Sequence, residues 1–83
     1  FCMNDMMALG AIKALRDRGV KAGRDVKIVG FDNILLGQYS VPALSTVDSH
    51  IDLEARRYVN YILGEKNDET EIESVYVRRA SSR

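Results

Sequence analysis

The chain has 83 residues, and its 12 Lys and Arg residues balance 12 Asp and Glu residues, so the formal net charge is zero. This length allows one small domain at most, and the even charge balance lacks the basic stripe by which proteins bind nucleic acid. A single cysteine, Cys2, excludes an intrachain disulfide, and no apolar run approaches the roughly 20 residues of a membrane-spanning helix.

The chain starts inside an apolar, strand-like run, Phe1–Met3, and passes at once into a helical pattern. Because a strand of ordinary length would need further residues upstream, we expect the chain to be a fragment of a longer protein. The apolar residues that recur at helical spacing are Ala8, Ala11, Ile12 and Leu15. They predict a helix over Met6–Arg18, with Asp5 as its N-cap and Gly19 as its C-terminal stop. Gly10 inside this helix costs about 1 kcal/mol relative to Ala, which favours close packing there.

A second strand is predicted at Val26–Phe31, which is rich in β-branched residues and apolar on both faces. That pattern is typical of a parallel strand that is covered on both sides. Together with the run at Phe1–Met3 and the helix between them, it predicts a right-handed βαβ unit. The stretch over residues 33–47 predicts one short helical turn and then an extended piece after Pro42.

A second amphipathic helix is predicted between Asp48 and Gly64. Its apolar positions are Ile51, Ala55, Tyr58, Val59 and Ile62. Asp48 or Ser49 is the expected N-cap, since either side chain can accept hydrogen bonds from the free N–H groups of the first turn. The run GEKNDETE is a solvated turn by composition, and IESVYVRRASS predicts a strand that frays into a polar tail.

Polar side chains follow both predicted strands, Asn4 after the first and Asp32 after the second. Ligands of parallel α/β sheets bind outside the carboxyl ends of the strands, so both side chains are expected in one crevice. A carboxylate and an amide there can hold hydroxyl groups, as in a sugar pocket, and Phe31 can supply an apolar edge. The same positions also suit helix caps and turn formers, and the residues alone leave both interpretations open.

No residue pattern predicts catalysis or metal binding. Cys2 lies in an apolar run, which favours a buried, inert thiol, and His50 has no candidate metal partners at ligand spacing. The sequence contains no phosphate-binding glycine loop and no nucleophile motif. We therefore expect no catalytic residue, no metal and no cofactor, and an enzyme is the least favoured class of function.

Four motifs occur in order along the chain, namely NDMMALGA, VGFDN, PALSTV and VRRASS. In this order they resemble the C-terminal part of the effector-binding domain of the LacI/GalR transcription regulators. The resemblance implies an α/β, periplasmic-binding-protein-like (type I) fold, with a parallel sheet, flanking helices and a ligand between two lobes. Residues 1–47 would then belong to the C-terminal lobe, and residues 48–83 would form the crossover, a helix and the last strand, mostly in the other lobe.

The resemblance also implies function and partners. Effector contacts transfer to Asn4 and Asp32, and a homodimer would use the first helix and the segment after VGFD. The implied dimer residues are Leu9, Leu36, Tyr39 and Val41. The expected protein is a cytoplasmic repressor, with no membrane partner, that senses a sugar or similar small polar metabolite. It would bind operator DNA through a domain outside this chain. The alternative is an exported sugar-binding protein of a transport system, but PALSTV and VRRASS favour the regulator.

Two departures from the family pattern stand out. Asn33 replaces a more usual second Asp, which can alter hydrogen bonding to a ligand, and DSHI replaces a Q-P-I-like start to the next helix. The resemblance implies that most of the N-terminal lobe and part of the C-terminal lobe lie outside this chain, so we expect these residues to form at best a partial wall of the pocket. We also expect weak or no effector binding by the fragment alone, and its open strand edges could exchange elements with another copy.

Overall fold

A computed structural model describes all residues, 1–83. The elements in chain order are α1 (Asp5–Asp17), α2 (Leu36–Tyr39), β1 (Thr46–Asp48), α3 (Ile51–Leu63), β2 (Val75–Val77) and a 3₁₀ turn (Ala80–Ser82). The chain is elongated, with extents of 53 × 19 × 18 Å. No helix combines the length and the apolar character that a bilayer span requires.

The first helix forms as predicted, but it is capped by a different residue. Asn4 is extended, and its side chain accepts a hydrogen bond of 2.8 Å from the backbone N–H of Met7. The prediction of Asp5 as N-cap is wrong, because Asp5 is the first helical residue and its side chain is buried. Gly19 takes a positive φ of 76° just beyond the helix, which confirms the predicted stop. The prediction of close packing at Gly10 is also wrong, since nothing lies within 4 Å of a Cβ built there.

The predicted strand at Val26–Phe31 is extended but is not one continuous regular strand. Val29 forms an isolated parallel bridge with Ser45. Backbone hydrogen bonds leave the segment on both sides, from Cys2 N to Val29 O, from Gly30 N to Ser45 O and from Asp32 N to Val47 O. The segment therefore lies between the N-terminal run and the start of β1, as a parallel arrangement requires.

The core is small and lies between α1 and this extended segment. Its buried apolar residues are Ala8, Ile12, Ala22, Ile28 and Leu44. The extended segment passes close to α1 at Gly30. A Cβ there would overlap the carboxyl group of Asp5 and lie 3.2 Å from Ala8 Cβ. Only a glycine lets the strand end pass this close to the start of α1.

The second helix forms between the predicted limits but without the predicted cap. His50 occupies the N-cap position in a left-handed conformation (φ 56°, ψ 54°), and no side chain caps the helix. Asp48 instead accepts a hydrogen bond from the His50 backbone N–H through Oδ1, at 2.9 Å. The prediction of Asp48 or Ser49 as cap is wrong because the chain turns sharply before the helix begins. No residue of α3 is fully buried.

The C-terminal segment returns to the core. β2 pairs antiparallel with β1, with Val47 opposite Tyr76, and the next residues enter a space beside the parallel segments. Ser81 is fully buried; its Oγ donates to Ile28 O at 2.7 Å and accepts from Ser45 N at 2.8 Å. The prediction of a frayed tail is therefore wrong, because the Ser81 hydroxyl forms hydrogen bonds with the backbone of two neighbouring segments, at Ile28 and at Ser45.

Candidate functional site

An open groove of about 520 Å³ lies between the turn after Phe31 and the start of α3. Its lining residues are Asp32, Asn33, Ile34, Asp48, His50, Ile51, Asp52 and Leu53. Three carboxyl groups and an imidazole therefore share a surface with three aliphatic side chains. This surface can accept hydrogen bonds from hydroxyl or amine groups while covering an apolar edge of a small molecule.

Asp32 is held in an unusual backbone conformation at the strand end. Its φ is 110°, a region that residues other than glycine rarely adopt. Its backbone N–H donates to Val47 O at 2.9 Å, which ties the residue to β1. The side chain is half-buried and accepts no hydrogen bond from the rest of the chain. Its carboxylate is thus available to a ligand, and the surrounding structure maintains the strained turn.

Asn33 follows in the left-handed region with φ 57°, which Asn tolerates better than most residues. Its backbone N–H donates to Thr46 Oγ1 at 3.2 Å, and its side-chain Nδ2 donates to Asp48 Oδ2 at 3.2 Å. Its Oδ1 accepts from Nη2 of Arg79 at 3.0 Å. The amide is therefore engaged by the protein on both of its polar atoms.

Asp48 accepts hydrogen bonds through both oxygens at the end of β1. The backbone N–H of His50 lowers the pKa of Asp48, burial opposes that change, and the Asn33 amide lowers the pKa further. The Nδ1 atom of His50 lies 3.8 Å from Asp48 Oδ1, so a protonated imidazole would add to the same effect. Asp48 is consequently an ionised carboxylate at neutral pH that is already hydrogen-bonded within the protein.

Asp5 does not line the groove, but it bonds to Ile34, which does, and it joins three segments. Its Oδ2 accepts from Ile34 N at 2.8 Å, and its Oδ1 accepts from Thr46 Oγ1 at 2.7 Å. Its backbone N–H donates to Phe31 O at 2.9 Å. Sequence reasoning missed this role because a position beside a helix start is explained by capping alone. The signal that could have revealed it is the adjacent Asn4, an equally good capping residue.

The predicted ligand residues are placed differently from one another. Asp32 lines the groove, whereas Asn4 and Phe31 do not. Asn4 uses its Oδ1 as helix cap, and its Nδ2 has no partner in the chain. Phe31 is half-buried, and the bond from Asp5 N to its carbonyl brings the two strand ends side by side. The sequence singled out neither Asp48 nor Arg79 for a role at this site.

The predicted dimer residues fall into two groups. Leu36, Tyr39 and Val41 are 59%, 74% and 76% exposed on and after α2. Leu9 is half-buried and packs against the core cluster. The α2 surface is therefore apolar and uncovered in this chain, while Leu9 is available only in part.

A larger groove, of about 610 Å³, lies between α3 and residues 67–75. Its polar groups bond mainly to one another: Asn60 donates to Asn67, and Asn67 donates to Arg57 O. No group of three or more His, Cys, Asp or Glu side chains in the chain is arranged to hold a metal ion. The groove beside Asp32 is the better candidate, because it lies at the carboxyl end of the extended segment that ends at Phe31, where ligands of parallel α/β sheets bind.

Comparison with known proteins identifies the family. The model of the periplasmic binding protein-like domain matches residues 1–82. The HTH-type transcriptional repressor PurR of Histophilus somni (strain 129Pt) is 37% identical over 79 residues, covering 92% of this chain and 24% of that protein. The relatives of this chain are transcriptional regulators rather than enzymes.

Solved structures agree with that match. A LacI-type transcription regulator from Bifidobacterium animalis subsp. lactis DSM 10140 superposes with a TM-score of 0.79 at 37% identity, covering 96% of this chain and 31% of that chain. The lac repressor dimer bound to operator and the anti-inducer ONPF superposes with a TM-score of 0.74 at 26% identity, covering 96% and 30%. The predicted periplasmic-binding-protein-like fold is confirmed.

This chain spans about a quarter of the length of the curated relatives that it matches. Within that span the family match is continuous, from the first strand-like run to the buried C-terminal turn. The chain therefore belongs to the family of periplasmic binding protein-like domains, and its likeness to the LacI/GalR regulators, predicted from four sequence motifs, is confirmed.

Proposed function

We propose that this chain is part of the effector-binding domain of a LacI-type transcriptional repressor, and that it supplies one wall of the pocket for a sugar or similar small polar effector. The names of the relatives support a repressor over an exported sugar-binding protein. The observation that carries the pocket assignment is the carboxylate of Asp32, which lines the groove and has no partner within the chain.

In this proposal each predicted ligand residue has a distinct role. The Asp32 carboxylate accepts hydrogen bonds from hydroxyl groups of the effector. Asn4 donates through Nδ2, since its Oδ1 is occupied as the cap of α1. Phe31 contributes an apolar edge, as half-buried aromatic rings do in polar pockets. The bond between Asp5 N and Phe31 O supports the placement of both strand ends at one wall.

The groove also suggests how an effector would act. It lies where β1 passes through His50 into α3, which is the proposed crossover between a lobe of residues 1–47 and a lobe that holds most of residues 48–83. An effector that binds one arrangement of the lobes more tightly shifts the population of DNA-binding molecules. Operator contact itself would come from a domain outside this chain, and the protein would act in the cytoplasm.

We assign a homodimer contact to the exposed apolar surface on and after α2, with a smaller share from Leu9. The lac repressor, a structural relative, is described as a dimer on its operator. The test is sedimentation velocity of the full-length protein with Tyr39→Asp, which should shift a dimer to monomer. Tyr61→Asp on α3 is the matched control, because Tyr61 is 83% exposed and lies outside this surface. A Tyr39→Asp protein that stays dimeric at micromolar concentration would contradict the assignment.

The effector proposal is tested by titrating the full-length protein with D-glucose, D-galactose and D-ribose in a calorimeter. We expect at least one sugar to bind, and Asp32→Ala to weaken that binding by about 1.5–3 kcal/mol through loss of a charged hydrogen-bonding group. Asp17→Ala is the control, because Asp17 is an exposed carboxylate on α1. Unchanged affinity in Asp32→Ala, with a native circular dichroism spectrum, would overturn the pocket assignment.

A further inference from the structure

The turn that carries Asp32 is fixed through the side chain of the next residue. Asn33 connects the start of the groove to two distant parts of the chain, Asp48 at the end of β1 and Arg79 after β2. We infer that Asn33 is a positioning residue, whose amide holds the Asp32 carboxylate at the groove and links the pocket to the β1–α3 crossover. This inference rests on the proposed effector role of Asp32.

The backbone of the turn is already tied down at three consecutive N–H groups. Asp32 N donates to Val47 O, Asn33 N donates to Thr46 Oγ1, and Ile34 N donates to Asp5 Oδ2. These bonds fix the path of the backbone through two successive residues at positive φ. The Asn33 side chain adds a further bond to β1, at Asp48, and the one bond from this turn to the C-terminal segment, at Arg79.

The chemistry of the two partners explains why an amide stands at this position. Arg79 can only donate hydrogen bonds, and an ionised Asp48 can only accept them. A side chain between them must accept on one side and donate on the other, which Asn does and Asp cannot. A carboxylate at position 33 would still accept from Arg79 but would face Asp48 as a like charge. The departure from the more usual second Asp is thus matched to Asp48.

Arg79 is itself firmly placed, so it can serve as an anchor. Its Nη1 donates to Leu44 O at 2.9 Å, and its backbone N–H donates to Ser45 Oγ at 2.7 Å. A Cβ at Gly37 would lie 3.9 Å from the same Nη1, so the guanidinium also borders the α2 turn. No carboxylate forms a salt bridge with Arg79 in this chain. Arg79 and Asp48 are joined by hydrogen bonds through the Asn33 amide.

The test is a charge relocation in the full-length protein, using Asn33→Asp, Asp48→Asn and the double variant Asn33→Asp/Asp48→Asn. In the double variant, an amide at 48 can accept from His50 N and donate to a carboxylate at 33. We expect Asn33→Asp to weaken binding of the sugar identified among D-glucose, D-galactose and D-ribose by roughly tenfold or more. The double variant should recover most of that loss.

A second pair of variants separates positioning from general stability. Arg79→Lys keeps the charge but cannot span Leu44 O and Asn33 Oδ1 together, so it should weaken sugar binding severalfold. Arg78→Lys is the control on an exposed neighbour and should bind like the wild type. Titrations run well below each variant's unfolding temperature remove the effect of lost stability. Weak binding by both the single and the double variant, or wild-type binding by Asn33→Asp, would overturn the inference.

A readout without ligand keeps the inference distinct from the proposed function. If the wild type binds none of the three sugars, the effector proposal fails, and NMR of the ligand-free protein still tests the bridge. Asn33→Asp should raise the pKa of the Asp48 carboxyl group and move the backbone shifts of Asp32, and the double variant should restore the Asp32 shifts. Asp32 shifts that stay unchanged in Asn33→Asp would overturn the bridge independently of any sugar.

Discussion

The carboxyl group of Asp5 accepts a hydrogen bond of 2.7 Å from the hydroxyl of Thr46, a residue 41 positions later in the chain. Asp5 is 1% exposed and Thr46 is fully buried, so water does not compete for either group. This bond joins the first turn of α1 to the first residue of β1. The strand ends of the candidate pocket wall are therefore held by the side chain of Asp5, which does not itself line the groove.

We predict that Asp5→Ala lowers the free energy of unfolding of the full-length protein by about 2–4 kcal/mol, because it removes the acceptor for both the Ile34 N–H and the buried Thr46 hydroxyl. Urea denaturation followed by circular dichroism measures this change. Asp17→Ala is the matched control; it removes an exposed carboxylate that pairs with Lys13 and should stay within about 0.5 kcal/mol of the wild type. Equal effects from the two substitutions would contradict the role assigned to Asp5.

The buried C-terminal turn gives a second prediction. Ser81→Ala removes the donor to Ile28 O and the acceptor for Ser45 N, so it should destabilise the protein by about 1–3 kcal/mol. Ser74→Ala is the control, since Ser74 is exposed just before β2. If both variants unfold at the wild-type urea concentration, the C-terminal turn does not stabilise the core.

Two glycines should respond to alanine in opposite directions. Gly10→Ala adds a methyl group in open space on α1 and should stabilise the protein by up to about 1 kcal/mol through helix propensity. Gly30→Ala places a methyl group against Asp5 and Ala8, and overpacking of this kind costs about 1–3 kcal/mol. Thermal unfolding midpoints decide both. A Gly30→Ala midpoint at or above that of the wild type would refute the packing described for Gly30, and a lowered Gly10→Ala midpoint would refute the open space described for Gly10.

The pKa of Asp48, lowered mainly by the His50 backbone N–H, predicts a pH dependence of stability. A carboxyl group whose pKa is lower in the folded protein stabilises the fold above the unfolded value of about 3.9. That contribution is lost as the pH falls through the folded pKa. The difference in unfolding free energy between the wild type and Asp48→Asn should therefore shrink as the pH is lowered from 6 to below 3. A difference that stays constant over this range would contradict the assignment.

The helices were the part of the fold most open to sequence reasoning. Apolar residues at helical spacing located both α1 and α3 to within a few residues, because one face of each helix repeats at 3.6 residues. Their caps were not predictable in the same way. Asn4 and Asp5 are both good capping residues, and the choice between them depends on Thr46 and Ile34, which approach only in the folded chain.

The same limit applies to the candidate site. The motif NDMMALGA and the position of Asp32 after a strand pointed to a pocket wall, and the ligand roles of Asn4, Phe31 and Asp32 stay predictions. Asn33 was noted only as a departure from a pattern. Its partners Asp48 and Arg79 lie 15 and 46 residues away, beyond the reach of any local pattern.

The sequence by itself determined the family and the two amphipathic helices, because these follow from local periodicity and from motifs in fixed order. Tertiary structure alone decided which polar side chains are buried. Ser and Asp side chains are usually exposed to solvent. Ser81 and Asp5 are nevertheless buried, because distant backbone groups inside the protein need hydrogen-bond partners. A polar side chain can be buried only where hydrogen-bond partners meet it, and only the folded chain brings those partners together.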